Sequence, residues 1–355
     1  MRAQAPYSLE APATPRKLNQ NESPFDVPAD LKRCILDRAA AAPWNRYPAF
    51  VPQALAGALA ARHDWVPDGI LVGNGSNELI QATLAVIVGE GDAVVAPTPT
   101  FALYRLLTAV NGGRYVPVAL GADFGYDVDA LVAAARQVHA RVIVVNSPNN
   151  PTGSALPEGA VERLLRETAA LIVCDEAYQD FGGPTALDLL RREARVVVLR
   201  TFSKAMGMAG LRFGYGLAHP ALAREIAKAK LPYNVNAITL AAAETALEAS
   251  DRFAAQVAAI KAERERLVAR LGALPGLHVF PTAANFVLVR CDAVPARTVF
   301  RRLIEEHGIL VRDVSGGDRL AECLRISVGT AEDTDAVVAA LGAILAEAPE
   351  GSQRR

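Results

Sequence analysis

Apolar and polar positions alternate along this chain in two registers. Short runs of β-branched and aliphatic residues recur at 70–72, 93–96, 142–146, 171–175, 196–200 and 213–217. They are apolar throughout rather than at every second position, which predicts strands covered on both faces. Between them lie segments of helical pattern at 77–88, 101–111, 157–168 and 220–230. Such alternation predicts an α/β fold: a three-layer α/β/α domain with a mainly parallel sheet. The pattern changes after about Ala237. A helical stretch rich in Ala, Glu and Arg runs to about Leu271. Strands are then predicted at 277–280, 284–289, 309–312 and 323–327, with helices at 294–306 and 332–346. The expected organisation is a large domain over 26–270 and a smaller α+β domain made of 1–25 and 271–355. The polar tail 349–355 is expected to fray.

Bulk properties narrow the partners. The chain has 355 residues, enough for both domains. A net charge of −1 gives no bulk attraction to nucleic acid or to an anionic membrane. Cys34, Cys174, Cys291 and Cys323 are scattered without a C-x-x-C pair. That argues against a zinc site or a disulfide framework and suits the reducing cytoplasm. Pro6, Pro12 and Pro15 interrupt the N-terminus, where no apolar signal-like run occurs, and the apolar segment 79–88 is too short to span a bilayer. The five histidines lack metal-ligand spacing, so no metal is expected. His63 and His307 read as helix-surface residues, Trp44 and Trp65 as packing residues. The run Lys261-Ala262-Glu263-Arg264-Glu265-Arg266 reads as a solvated helix face.

Four motifs carry candidate chemistry. The first follows the strand at 196–200: Thr201-Phe202-Ser203-Lys204, continuing to Gly210-Leu211-Arg212-Phe213-Gly214. A lysine at the end of a parallel strand faces the crevice where α/β sheets bind ligands, and its amine can form an imine with an aldehyde cofactor. Ser203 and Arg212 suit a phosphate, and Gly210 and Gly214 are expected to let the backbone pass close to the ligand. The second motif is Asp175-Glu176-Ala177-Tyr178, again after a strand. Its carboxylate can pair with a protonated pyridine nitrogen, and Tyr178 can reach a phenolic oxygen. Asp175 as a plain helix cap is the competing reading. The third is Asn146-Ser147-Pro148-Asn149-Asn150-Pro151-Thr152-Gly153, ordinary turn chemistry or a polar contact through Asn150. The fourth is Gly73-Asn74-Gly75-Ser76-Asn77-Glu78, a glycine turn opening a helix. It suits an anion at the helix N-terminus, with Ser76 as an alternative N-cap.

These strings, in this order and spacing, resemble the class I/II aminotransferases of pyridoxal-phosphate (PLP) fold type I. The segments Leu18-Asn19-Gln20-Asn21-Glu22-Ser23-Pro24, Asn45-Arg46-Tyr47-Pro48 and Cys323-Leu324-Arg325-Ile326-Ser327 look like the histidinol-phosphate aminotransferases among them. The resemblance implies PLP as cofactor. It implies Lys204 as the lysine that carries PLP and shuttles protons, Asp175 at the pyridine nitrogen, and Asn150 and Tyr178 at the phenolic oxygen. Ser76, Asn77, Ser203 and Arg212 would hold the phosphate and Phe101 would stack on the ring. Tyr47 would reach the cofactor of a second subunit, implying a homodimer with shared active sites. Arg325, with Arg312, Tyr7 and Asn150, would bind the substrate.

The expected reaction moves an amino group from a small-molecule donor to a keto acid. Histidinol phosphate and 2-oxoglutarate are the pair that the resemblance implies. An aromatic aminotransferase, an enzyme related to threonine-phosphate decarboxylase and a catalytically inactive binding module remain open from the sequence.

Overall fold

The structure, a computed structural model, describes residues 12–347. Tyr7 and the tail 349–355 lie outside them. The first part of the chain forms β1 (Arg16–Lys17), α1 (Ala29–Ala41), α2 (Gln53–Arg62), β2 (Ile70–Gly73), α3 (Ser76–Ile87), β3 (Ala93–Thr98), α4 (Leu103–Val110) and β4 (Arg114–Ala119). Next come α5 (Val128–Gln137), β5 (Val142–Asn146), α6 (Ala160–Glu167), β6 (Leu171–Asp175), β7 (Val196–Thr201) and β8 (Gly214–Ala218). After α7 (Pro220–Ala227), α8 (Ala237–Glu248) and α9 (Ser250–Gly272), the chain continues through β9 (Leu277–Val279), β10 (Phe286–Cys291) and α10 (Ala296–Glu305). It closes with β11 (Ile309–Leu310), β12 (Arg312–Asp313), β13 (Cys323–Ser327) and α11 (Ala331–Ala346).

Seven strands make the central sheet in the order β2-β8-β7-β6-β5-β3-β4. Strands β3 to β7 pair in parallel, and only β8 runs against its neighbours β7 and β2. The uniformly apolar strands serve both faces. Val145, Ile172, Cys174 and Val198 pack towards α1, α2, α5, α6 and α8. Val144, Val173, Val197 and Leu199 pack towards α3, α4 and α7. Each such side chain contributes about 1.5–3 kcal/mol on burial, which makes sheet register the best-fixed feature of the molecule.

A second core gathers around β10, β13, α10 and α11. Its antiparallel sheet has the order β12-β13-β10-β9. β1 pairs in parallel with β11, so the N-terminal segment joins this part of the molecule. Helix α9 serves both cores: Phe253 enters the first, while Ile260, Leu267 and Leu271 enter the second.

Several expectations are corrected. The helical stretch from Ala237 breaks at Ala249 into α8 and α9, and the strand expected at 309–312 splits between two sheets. His63 is no plain surface residue: its Nε2 lies 2.9 Å from the Tyr215 hydroxyl, and burial pushes its ring down to about 4. Arg264 turns inward and donates to the carbonyls of Phe181 and Ala284, two buried residues whose backbone oxygens it satisfies. Trp44 is 71% exposed rather than packed, whereas Trp65 lies against the first core. Among the described residues the four cysteines are free thiols, and no helix is long and apolar enough to cross a membrane.

Candidate active site

The C-terminal ends of β5, β6 and β7 open into a cavity of about 480 Å³. Parallel strands place the loops that follow them side by side, so motifs separated by about thirty residues become neighbours. Lys204, Asp175, Tyr178, Asn150, Ser203 and Arg212 all line this cavity. So do Ser76 and Asn77 beyond the edge strand β2, Phe101 beyond β3, and Arg312 and Arg325 from the second core. Tyr47 does not line it. Its ring is 80% exposed and stacks on Tyr233, with centroids 4.4 Å apart.

Lys204 sits just beyond β7, and its Nζ donates to the Gln20 carbonyl at 2.9 Å. Burial, and then the positive charge of Arg325, push its amine down to about 7, with Glu22 opposing. Asp175 ends β6 and is buried. The Tyr104 hydroxyl donates to its Oδ2 at 2.6 Å, and the Ala177 N–H donates to Oδ1 at 3.1 Å. Burial pushes the Asp175 carboxyl up, and no cation among the described residues lies within ion-pair distance of it. The cap-like contact to Ala177 therefore coexists with a buried acid that lacks a counter-ion. Its neighbour Glu176 has one, pairing with Arg200 at 2.7 Å.

The anion pole of the cavity lies where β8 meets α3. Gly75 precedes α3 at φ 79°, and a Cβ there would sit 2.4 Å from Arg212 Nη2. Glycine thus lets the guanidinium lie against the helix N-terminus, where backbone N–H groups point outward. Arg212 Nη1 donates to Ser203 Oγ at 3.1 Å. Ser76 is the first helical residue and not the cap, a place that Gly75 takes without a side-chain bond. Gly214 is needed for another reason than ligand approach. Its Cβ would meet the Ser76 nitrogen at 2.2 Å, so it lets β8 pass the start of α3, while Gly210 has open space around it.

At the opposite pole, Arg312 and Arg325 are directly paired across β12 and β13. Arg325 donates to Asn150 Oδ1 and, at 2.7 Å, to the Asn19 carbonyl. Asn150 is held in turn by its N–H on Asn146 Oδ1 at 2.9 Å.

Sequence reasoning missed several contributors. Tyr104 has a detectable signal, since it lies three residues after Phe101 in a segment of helical pattern; Phe101 itself precedes α4, and the two rings meet edge to face at 5.7 Å. Asn146 stood inside a motif credited only to Asn150. The strap Asn19-Gln20-Asn21-Glu22 lines the cavity although its residues were weighed only for resemblance.

These residues fit PLP. The helix N-terminus with Arg212 and Ser203 suits its phosphate, the uncompensated Asp175 suits a pyridinium, Phe101 offers a ring face, and Lys204 is a depressed amine. Residues 15–341 match the model of the family described as aminotransferase class I and II. The histidinol-phosphate aminotransferase of Chlorobaculum tepidum is 39% identical over 320 residues, covering 90% of this chain and 91% of its own. That of Methylibium petroleiphilum is 41% identical over 336 residues, covering 93% and 89%. The structure of histidinol-phosphate aminotransferase from Sinorhizobium meliloti in complex with pyridoxal-5'-phosphate superposes with a TM-score of 0.85 at 30% identity, covering 94% of this chain and 91% of that one. With a matching family model over nearly its whole length and relatives of this similarity, the chain belongs to the class I and II aminotransferases.

Proposed function

We propose that this PLP-dependent aminotransferase transfers the amino group of histidinol phosphate to 2-oxoglutarate, giving imidazole acetol phosphate and glutamate in histidine biosynthesis. The observation that carries the substrate reading is the Arg312–Arg325 pair. Like charges directly opposite in a sheet destabilise it unless an anion lies between them. A guanidinium forks equally onto a phosphate or a carboxylate, so one pole can serve the donor's phosphate and the acceptor's carboxylate. Relatives named for histidinol phosphate, similar along the whole chain, support the same donor.

When bound, PLP supplies an aldehyde for the amino group and a pyridinium ring that draws electrons from the substrate carbon. The protein residues do the rest. Lys204, once the incoming donor has displaced it from the cofactor, would take the donor's α-proton and give it back to the cofactor's carbon. Asp175 keeps a negative charge against the ring nitrogen, with Tyr104 fixing its carboxylate. Tyr178 and Asn150 would hold the phenolic oxygen, Ser76, Asn77, Ser203 and Arg212 would hold the phosphate, and Phe101 would offer a face to the ring.

The division into a PLP-binding domain over 26–270 and a small domain of 1–25 with 271–355 is supported by the two cores, with α9 bridging them. A homodimer with shared active sites accounts for the exposed aromatic cluster of Tyr47, Phe50 and Tyr233, and for the exposure of Trp44 and Leu231. Tyr47 would then reach the second subunit's phosphate, and sedimentation velocity at micromolar protein tests the dimer. Free thiols support a cytoplasmic location.

The test of the donor is a spectral half-reaction. Histidinol phosphate should convert the bound cofactor faster than phenylalanine, tyrosine or glutamate at equal concentration. A faster conversion by phenylalanine would overturn the donor and leave the enzyme class standing.

A further inference from the structure

The strap at 19–22 lines the cavity, and one of its side chains, Asn21, is bonded to Tyr178. Asn21 is buried, and its backbone takes the left-handed conformation at φ 53°, which Asn tolerates better than most residues. Four hydrogen bonds fix it there. Its N–H donates to Ser327 Oγ at 2.8 Å, and its carbonyl accepts from Asn285 Nδ2 at 3.1 Å. Ser327 Oγ donates back to Asn21 Oδ1 at 3.3 Å. That leaves the amide nitrogen, and Nδ2 donates to the Tyr178 hydroxyl oxygen at 3.0 Å.

The bonds run in one direction through the amide. Ser327 Oγ accepts the backbone N–H and donates to Oδ1, an arrangement that turns the donor end of the Asn21 amide to Tyr178. A phenol oxygen that accepts one hydrogen bond has its proton directed away from that donor, and it becomes a stronger donor itself. Tyr178 and Asn21 both line the cavity, and the Phe286 ring lies edge-on to Tyr178 at 5.2 Å, holding its plane.

We infer that Asn21 is a positioning residue that aims the Tyr178 hydroxyl proton into the cavity, at the phenolic oxygen of PLP. The inference rests on the assignment of Tyr178 to that oxygen. A hydrogen bond donated there withdraws charge from the oxygen and loosens the hold on the proton at the Lys204 nitrogen. Asn21 therefore keeps that nitrogen easier to deprotonate. Other charges that face Lys204 come from Arg325 on β13, Arg212 beyond β7, Glu22 on the strap and Lys17 on β1, with Asp175 at the end of β6. None of them changes in the variants below.

The test is the absorbance titration of the PLP-loaded protein, which reads the proton at the Lys204 nitrogen without turnover. Asn21→Gly removes the amide and keeps a residue that adopts the left-handed backbone freely. Its spectral pKa should rise by about half to one unit, the worth of one hydrogen bond. In a Tyr178→Phe background the same substitution should move it little. Asn21→Asp provides a second, isosteric variant. Its added charge acts in both backgrounds, but an extra rise should appear only where Tyr178 is present, because the phenol turns to the new carboxylate. Equal shifts with and without Tyr178, or no shift from either Asn21 variant while Tyr178→Phe alone shifts, would overturn the inference. If Tyr178→Phe itself leaves the titration unchanged, the assignment of Tyr178 fails, and Asn21 loses its role with it.

Discussion

The two poles of the cavity are built differently. The pole around Arg212 and the ring site around Asp175 belong to a single sheet. Each motif there is a short loop after one strand, and the pairing of β5, β6 and β7 sets their spacing. The pole around Arg325 is assembled from chain segments far apart, as its bond to the Asn19 carbonyl spans 306 positions. It hangs from the second core and from the strap. A rigid sheet suits groups whose positions must not vary, such as the ring nitrogen's counter-ion. A pole carried by a separate core suits alternating anions of different shape, which must enter and leave in each cycle.

This contrast can be broken in stages. Lys204→Ala should lower kcat by about 10⁴-fold or more, since the proton carrier is lost, and pre-steady-state absorbance would show that no donor is processed. Asp175→Asn should lower kcat by about 10²–10³-fold with smaller changes in KM, a sheet-side effect on charge stabilisation. Arg325→Lys should act at the other pole. We expect about a ten- to hundredfold rise in KM for the donor, with PLP affinity retained, because a lysine cannot reproduce the forked contact. A loss of PLP affinity in that variant would contradict the separation of the poles. Tyr104→Phe should lower kcat about tenfold, the effect of one hydrogen bond to a charged group.

The smallest effect joins the poles. In the apoprotein the Lys204 amine titrates near 7, held down by burial and by Arg325. PLP capture should therefore accelerate as pH rises through about 7. Arg325→Gln removes a like charge, so the midpoint should move up. A midpoint that stays put would mean that Arg325 does not reach Lys204 electrically.

The same contrast explains what was legible in the sequence. The fold class and the buried strands could be read because uniformly apolar runs have one physical use, a sheet covered on both faces. Helices α1, α2 and α5 and strand β4 left no clear pattern. β4 is the sheet edge, half exposed and interrupted by Pro117, so it carries neither an apolar run nor clean alternation. In α2, only Leu55, Ala56, Leu59 and Ala60 are buried, a narrow stripe in an alanine-rich segment. At the cavity, the residues in contiguous motifs could be named in advance. Asn21 and Gln20 could not, because their contacts depend on how β1 docks on β11 and brings the strap over Lys204. Tyr104 falls between the cases: its position was readable from helical spacing, but its partner Asp175 was not.

The most direct test of the central claim is chemical trapping of the cofactor. The PLP-loaded protein is reduced with borohydride, cleaved with trypsin and mapped by mass spectrometry. A phosphopyridoxyl group is predicted on Lys204, within the peptide 201–212, together with loss of the visible absorbance. Modification concentrated on Lys228 or Lys230, or no modification of that peptide, would contradict it.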